Sequence, residues 1–203
     1  MNNKFFVTLL TGLLYASNSY AQTGEMVNPV TSESTKISIS VGSVFIDHNK
    51  FQAQGVHVSA RFEMDDLIPA NQWDIKAYSK LSYQSSFDET KSNVNYMDET
   101  EVVFGLHTQV NETINWYVES GDRRQSFEQD SLKLSQNYGY IYRLGVNVFQ
   151  EVGAINVALE HRDGIKSETG YRTKFVSSDK LFSLSYTHVG DYKSVGLTLN
   201  THF

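Results

Sequence analysis

Residues 194–203 read SVGLTLNTHF. Val195, Leu197, Leu199, Thr201 and Phe203 fall on every second position, and Ser194, Gly196, Thr198, Asn200 and His202 fall between them. Successive side chains of a strand point to opposite faces, so this decapeptide carries one mostly apolar face and one polar face up to the last residue. Terminal residues usually fray unless something ties them down. A strand this regular therefore implies a backbone partner, and the partner has to come from the rest of the chain.

Working back from residue 194, alternation of the same kind recurs between clusters of Asn, Asp, Gly and Ser, and no run of helical period competes with it. The pattern predicts ten strands, near 36–46, 55–64, 73–84, 100–110, 114–121, 137–149, 154–162, 170–177, 181–188 and 194–203. Eight is the nearest even alternative, because residues 170–177 could instead belong to a loop. Pro29 and Pro69 both lie outside these runs, as a sheet paired on both sides of every strand requires. The odd-numbered connections are expected to be the longer ones, about 15 residues in the third and fifth, and the fourth, sixth and eighth are expected to be tight turns of about 3 to 4. DDLIPANQ, the second connection, is longer than that pattern.

The faces sort consistently. Val56, Val58, Ala60, Phe62 and Met64 share one side of the second strand, opposite His57, Ser59, Arg61 and Glu63. In the sixth, Tyr138, Tyr140, Tyr142, Leu144, Val146 and Val148 oppose Gly139, Arg143, Gly145 and Asn147. A soluble sandwich could bury such a face and a membrane barrel could turn it to lipid. Two features favour the barrel. Aromatic residues gather near both strand ends, with Phe62, Trp73, Trp116 and Phe203 at one and Phe45, Tyr83, Tyr138, Tyr140, Tyr171 and Tyr186 at the other, as headgroup interfaces select. The polar face also carries many charges, which a closed sheet would enclose.

The beginning of the chain agrees. MNNKFFVTLLTGLLYASNSYA has Lys4, an apolar run from Phe5 to Ala16, and small residues Ser19 and Ala21 at the spacing of a signal-peptidase site. About 12 apolar residues fall short of the roughly 20 that a spanning helix needs. Residues 1–21 are thus expected to be a secretory signal cleaved after Ala21, 22–35 a polar leader, and 36–203 the barrel. Cleavage would leave 182 residues (203 less 21) and, with Lys4 gone, move the formal net charge from -6 to -7. That balance disfavours a nucleic-acid partner. The chain contains no cysteine, which excludes disulfides and thiol chemistry.

On these residues the chain resembles the small outer-membrane β-barrel superfamily of Gram-negative bacteria, the OmpA-like and OmpX-like barrels. The resemblance covers the mature chain as a pattern. It implies an all-β, closed, antiparallel, up-and-down barrel in the outer membrane, monomeric and surrounded by lipid and lipopolysaccharide. It also implies that the last strand pairs with the first and serves as the label read by the barrel assembly machinery. Val195, Gly196, Leu197, Leu199 and Phe203 match that label; Thr201 departs from the apolar residue more usual there.

The lumen would then hold Arg61, Glu63, Asp74, Lys76, Lys80, Glu101, Glu119, Arg143, Glu160, Arg162, Arg172 and Lys174. Near balance of sign points to mutual pairing that fills a narrow interior, with Arg61, Glu63, Lys76, Glu119, Arg143, Glu160 and Arg162 as its network; a single-sign ring would point to a pore. His57 and Ser59 in GVHVSA share the His-x-Ser spacing of outer-membrane lipid A deacylases, but the longer motif is missing and both face inward. No His or carboxylate spacing defines a metal site, and no cofactor or catalytic residue is expected. The roles in view are a structural or surface-interaction barrel acting through extracellular loops, a narrow porin-like channel, and a lipid A-modifying enzyme; the extracellular ligand is open. The acidic third connection, SSFDETKSNVNYMDE, and the balanced fifth, DRRQSFEQDSLKLSQ, are the loops in question.

If Phe203 belongs to an insertion label, Phe203→Asp should lower the amount of heat-modifiable, membrane-embedded protein in cells. Unchanged levels would count against that role.

Overall fold

The computed structural model describes residues 37–48, 51–64, 67–68, 74–90, 93–129 and 132–203. The expected signal, 1–21, and leader, 22–35, lie outside them. Ten strands follow in order: β1 Ile37–His48, β2 Phe51–Met64, β3 Lys76–Thr90, β4 Asn93–Asn111, β5 Ile114–Gln129, β6 Leu132–Gln150, β7 Gly153–Asp163, β8 Glu168–Ser177, β9 Phe182–Val189 and β10 Tyr192–His202. Each pairs antiparallel with its sequence neighbours, and β10 returns to β1, which closes the barrel.

The seam runs from Ser38 opposite His202 to His48 opposite Tyr192. Below it, Phe203 N–H donates to Ile37 O at 2.9 Å and Ile37 N–H donates to Phe203 O at 3.3 Å. The regular strand at residues 194–203 thus has β1 as its partner on one side and β9 on the other.

Alternation decides what each face meets. Val195, Leu197, Leu199 and Phe203 are outward and exposed, joined by Leu144 from β6, Val157 and Leu159 from β7 and Leu184 from β9. Phe62, Trp116, Phe182 and Phe203 stand exposed toward the end of the barrel where Ile37 and Phe203 lie; Phe45, Tyr83, Tyr138, Tyr140 and Tyr171 stand exposed toward the other. Inside are Glu101, Glu119, Arg143, Glu160 and Arg162, all buried. Water would favour the opposite arrangement, because it rewards hidden apolar surface and solvated charge. The chain is a membrane β-barrel, with an outer surface made for hydrocarbon.

The connections differ from the sequence expectation. The first, third and fifth are two residues each, at 49–50, 91–92 and 130–131, and the longest is the second, 65–75. Most of SSFDETKSNVNYMDE and DRRQSFEQDSLKLSQ is strand, because β3 and β4 run on to Thr90 and Asn93, and β5 and β6 to Gln129 and Leu132. These hairpins outgrow their neighbours: β6 pairs with β7 only from Tyr140 downward, which leaves Leu132–Gly139 above the last rung. Beyond the bilayer both faces are wet, so a ladder persists on backbone hydrogen bonds with no apolar contrast to mark it. Turn chemistry appears at the two-residue β9–β10 turn, where Gly190 takes φ 56°, a left-handed conformation that glycine adopts without a Cβ clash.

Leu144 is 56% and Val157 50% exposed on the outer surface. An arginine near the bilayer midplane there costs about 2 to 4 kcal/mol. Leu144→Arg and Val157→Arg should therefore lower stability in lipid vesicles by that order, while inward Thr187→Asn should not; equal losses on both faces would mean that inside and outside are exchanged.

Candidate functional site

The lumen is the candidate site, and it is layered. At mid-height the guanidinium of Arg143, on β6, is held by three carboxylates from three other strands. Its Nε donates to Glu160 Oε2 at 2.6 Å, its Nη1 to Glu119 Oε2 at 3.0 Å and its Nη2 to Glu101 Oε2 at 2.7 Å. Glu160, 0% exposed, also accepts from Arg162 Nε at 2.6 Å through Oε1. Register assembles this group, since Glu119 and Glu160 face Arg143 directly across the β5–β6 and β6–β7 ladders. A carboxylate or guanidinium removed from water is tolerable only when its charge is matched and its hydrogen-bonding sites are filled.

Tyr78 connects this layer to the next. Its hydroxyl donates to Glu119 Oε1 at 2.8 Å, and its ring lies 3.6 Å beneath the Arg61 guanidinium, which pairs with Glu63 at 2.6 Å. Glu63 in turn meets His107 Nε2 at 3.3 Å. The ring fits because Gly105 lies behind it: a Cβ there would come within 2.2 Å of Tyr78 Cζ. Gly145 gives Tyr117 the same room, and Tyr117 donates to Asn156, which continues through Asn147 to Asn115.

Toward the hairpin end the lining turns apolar. Val44, Ile46, Met97 and Tyr192 form a buried cluster with Phe51 and Phe127 packed against it. Arg162 joins the two layers by lying 4.4 Å over the Tyr192 ring. Just below the cluster Arg123 pairs with Glu99 at 2.5 Å. A cavity of about 730 Å³ runs beside the Arg143 cluster, from Val44 and Tyr192 of the apolar layer to Gln150, Glu151, Lys180 and His202 at the other rim.

The sequence-derived network is divided by the structure. Glu119, Arg143, Glu160 and Arg162 are in one cluster; Arg61 and Glu63 form a separate pair tied to it through Tyr78. Lys76 stands apart, its side chain 42% exposed at the rim and 3.8 Å from Asp74. His57 and Ser59 line the cavity and face away from lipid. Glu99 and Arg123 were missed because the expected strands end at 100 and 121, although each shares the parity of an expected inward residue, Glu101 and Glu119. The apolar cluster had a signal too: Val44 and Ile46 continue the inward face of Ser38 and Ser40. Among the described residues no group of three His, Asp or Glu is placed to hold a metal ion.

Comparison with protein-family models and with curated proteins gives no match. Solved structures match the chain at low identity. Ail, the attachment invasion locus protein of Yersinia pestis, is 14% identical over 82% of this chain and 95% of its own, with a TM-score of 0.39. The KdgM porin is 13% identical over 82% and 99%, with 0.43, and the outer membrane enzyme PagL is 10% identical over 81% and 97%, with 0.35. An attachment protein, a porin and an enzyme are thus similar to the chain at this level, and such likeness assigns no role.

Glu160→Ala should leave Arg162 uncompensated and Arg143 short of one partner. The expected loss approaches about 3 to 5 kcal/mol, the range for breaking a dry buried pair, read as a lower denaturant midpoint of the folded barrel. Lys76→Ala, at the exposed rim pair, should change the midpoint little. Equal small effects would show that water screens the Arg143 cluster.

Proposed function

We propose that this barrel resides as a monomer in the outer membrane of a Gram-negative cell, exported by its N-terminal signal and inserted by the barrel assembly machinery. In this role it is a closed scaffold that holds the β3–β4 and β5–β6 hairpins above lipopolysaccharide, where they meet an extracellular partner. The observation that carries the reading is the layered closure of the lumen. The apolar cluster of Val44, Ile46, Met97 and Tyr192 lies across the hairpin end, directly above the Arg143 and Arg123 ion pairs. An ion would have to displace apolar side chains to pass.

The hairpins suit a partner surface. They are strand-built, and they carry charges of both signs, with Asp88 on one and Arg124 and Glu128 on the other. A narrow channel is the second reading, favoured by the cavity below the closure, and it requires the apolar cluster to move. Lipid A modification has less support, because His57 and Ser59 face the lumen.

Two measurements on one preparation test this. The refolded protein in planar bilayers should pass no current steps, whereas Met97→Gly with Phe127→Ala, which opens the apolar layer, should produce them. An epitope inserted between Asp130 and Ser131 should bind antibody on intact cells. Current steps from the unaltered chain would favour the channel, and an epitope reached only after the cells are opened would reverse the orientation.

A further inference from the structure

The cavity beside the Arg143 cluster has an origin in the sequence. The strands β9, β10 and β1 present Ser183, Ser185, Thr187, Gly196, Thr198 and Ser40 to the interior, side chains too short to reach the opposite wall. The charged residues of β3–β7 fill their own half at mid-height, and what remains is the cavity of about 730 Å³. That volume is within the range of pockets that enclose small ligands.

Its charge is not balanced. The interior cations Arg61, Arg123, Arg143 and Arg162 all have carboxylate partners, and those partners are Glu63, Glu99, Glu101, Glu119 and Glu160. Lys80, Arg172 and Lys174 also line the cavity, and none of them forms an ion pair among the described residues. Three cations thus face a single surplus negative charge. Lys80 stands on β3 and the other two on β8, five places away in a ring of ten, so they approach from opposite walls. Arg172 is within electrostatic range of both Lys80 and Lys174. The ladder offers no relief, since Arg172 is paired across with Ala158 and Thr187, and Lys174 with Asn156 and Ser185. Like charges converging in a cavity walled by protein and hydrocarbon create a strong positive potential, because low-dielectric walls focus the field.

We infer that this chamber binds a small free polyanion with carboxylate or phosphate oxygens, and that Lys80, Arg172 and Lys174 hold it. Arg172 supplies the planar fork that matches two oxygens of such a group, and the lysines supply point charges. Ser40, Ser59, Ser185 and Thr198 surround them with hydroxyls that suit a hydroxylated ligand. Access is from the rim that carries Gln150, Glu151 and His202. With the hairpin end closed, as the functional proposal holds, the chamber binds its ligand without passing it on. The site itself does not depend on that closure.

Titration calorimetry on the folded barrel in zwitterionic detergent tests the inference, with citrate and pyrophosphate as probes. Either probe should give saturable heat that weakens as salt is raised, and should raise the thermal midpoint by linkage. Arg172→Gln with Lys174→Gln, and separately Lys80→Gln from the facing wall, should weaken binding at least tenfold. Exposed Lys166→Gln should leave it unchanged. The variants should retain heat-modifiable mobility, since each removes repulsion and no ion pair. No saturable heat from the unaltered barrel, or equal affinity in the double variant, would overturn the site. A barrel that conducts yet binds loses the closure and keeps the site; one that is silent and fails to bind does the reverse.

Discussion

Hydrocarbon offers a backbone N–H or C=O no partner, so every strand that crosses it must be paired on both edges, and the β1–β10 seam is where that requirement is finally met. Closure then dictates the rest. A sheet with no edge has only an outside and an inside, and the period of two sends Val195, Leu197 and Leu199 one way and Ser194, Gly196 and Thr198 the other. Because the outside must be apolar, charge can go only inward, where it has to be matched by other charge. The Arg143 cluster is that consequence at its most condensed: four strands contribute to one buried group.

Strand number sets how much interior there is to fill. Eight strands leave room that side chains just occupy, and ten leave more. This chain spends its long polar and charged inward residues on β2–β8, where Tyr78 and Tyr117 lie against glycines and the long Arg and Glu side chains reach across. The serine- and threonine-lined wall of β9, β10 and β1 reaches no further than its own hydroxyls. The surplus width therefore appears as a one-sided chamber, open at the end where the chain enters and leaves the barrel and capped by apolar residues at the other.

How much of this the sequence carried follows from where selection by lipid acts. Within the bilayer each strand must alternate, so all ten strands, and the inward parity of Arg143, Glu160 and Lys174, are legible. Above it the demand lapses. Residues 85–99 and 122–136 have little apolar contrast and read as loops, yet 85–90, 93–99, 122–129 and 132–136 are strand, with Tyr96 opposite Phe87 and Phe127 opposite Ser135. Glu99 and Arg123 were lost with them. The grouping inside the lumen was less legible for another reason. Parity states that a residue points inward, and says nothing of height; only the ladder registers set Glu119 and Glu160 opposite Arg143 and leave Lys76 at the rim.

The barrel depends on the sorting of its two faces and on the division of its lumen into a sealed part and an open part. A chain without cysteine allows this to be read by single-cysteine labelling in lipid vesicles with a charged, water-soluble thiol reagent and a lipid-soluble one. Ser185→Cys, in the chamber, should react with the charged reagent. Leu184→Cys, its neighbour on the outer surface, should react only with the lipid-soluble one, and Ser86→Cys, buried against the Met97 carbonyl, with neither until the barrel unfolds. Equal reaction of Ser185→Cys and Leu184→Cys with the charged reagent would contradict a membrane barrel of this design.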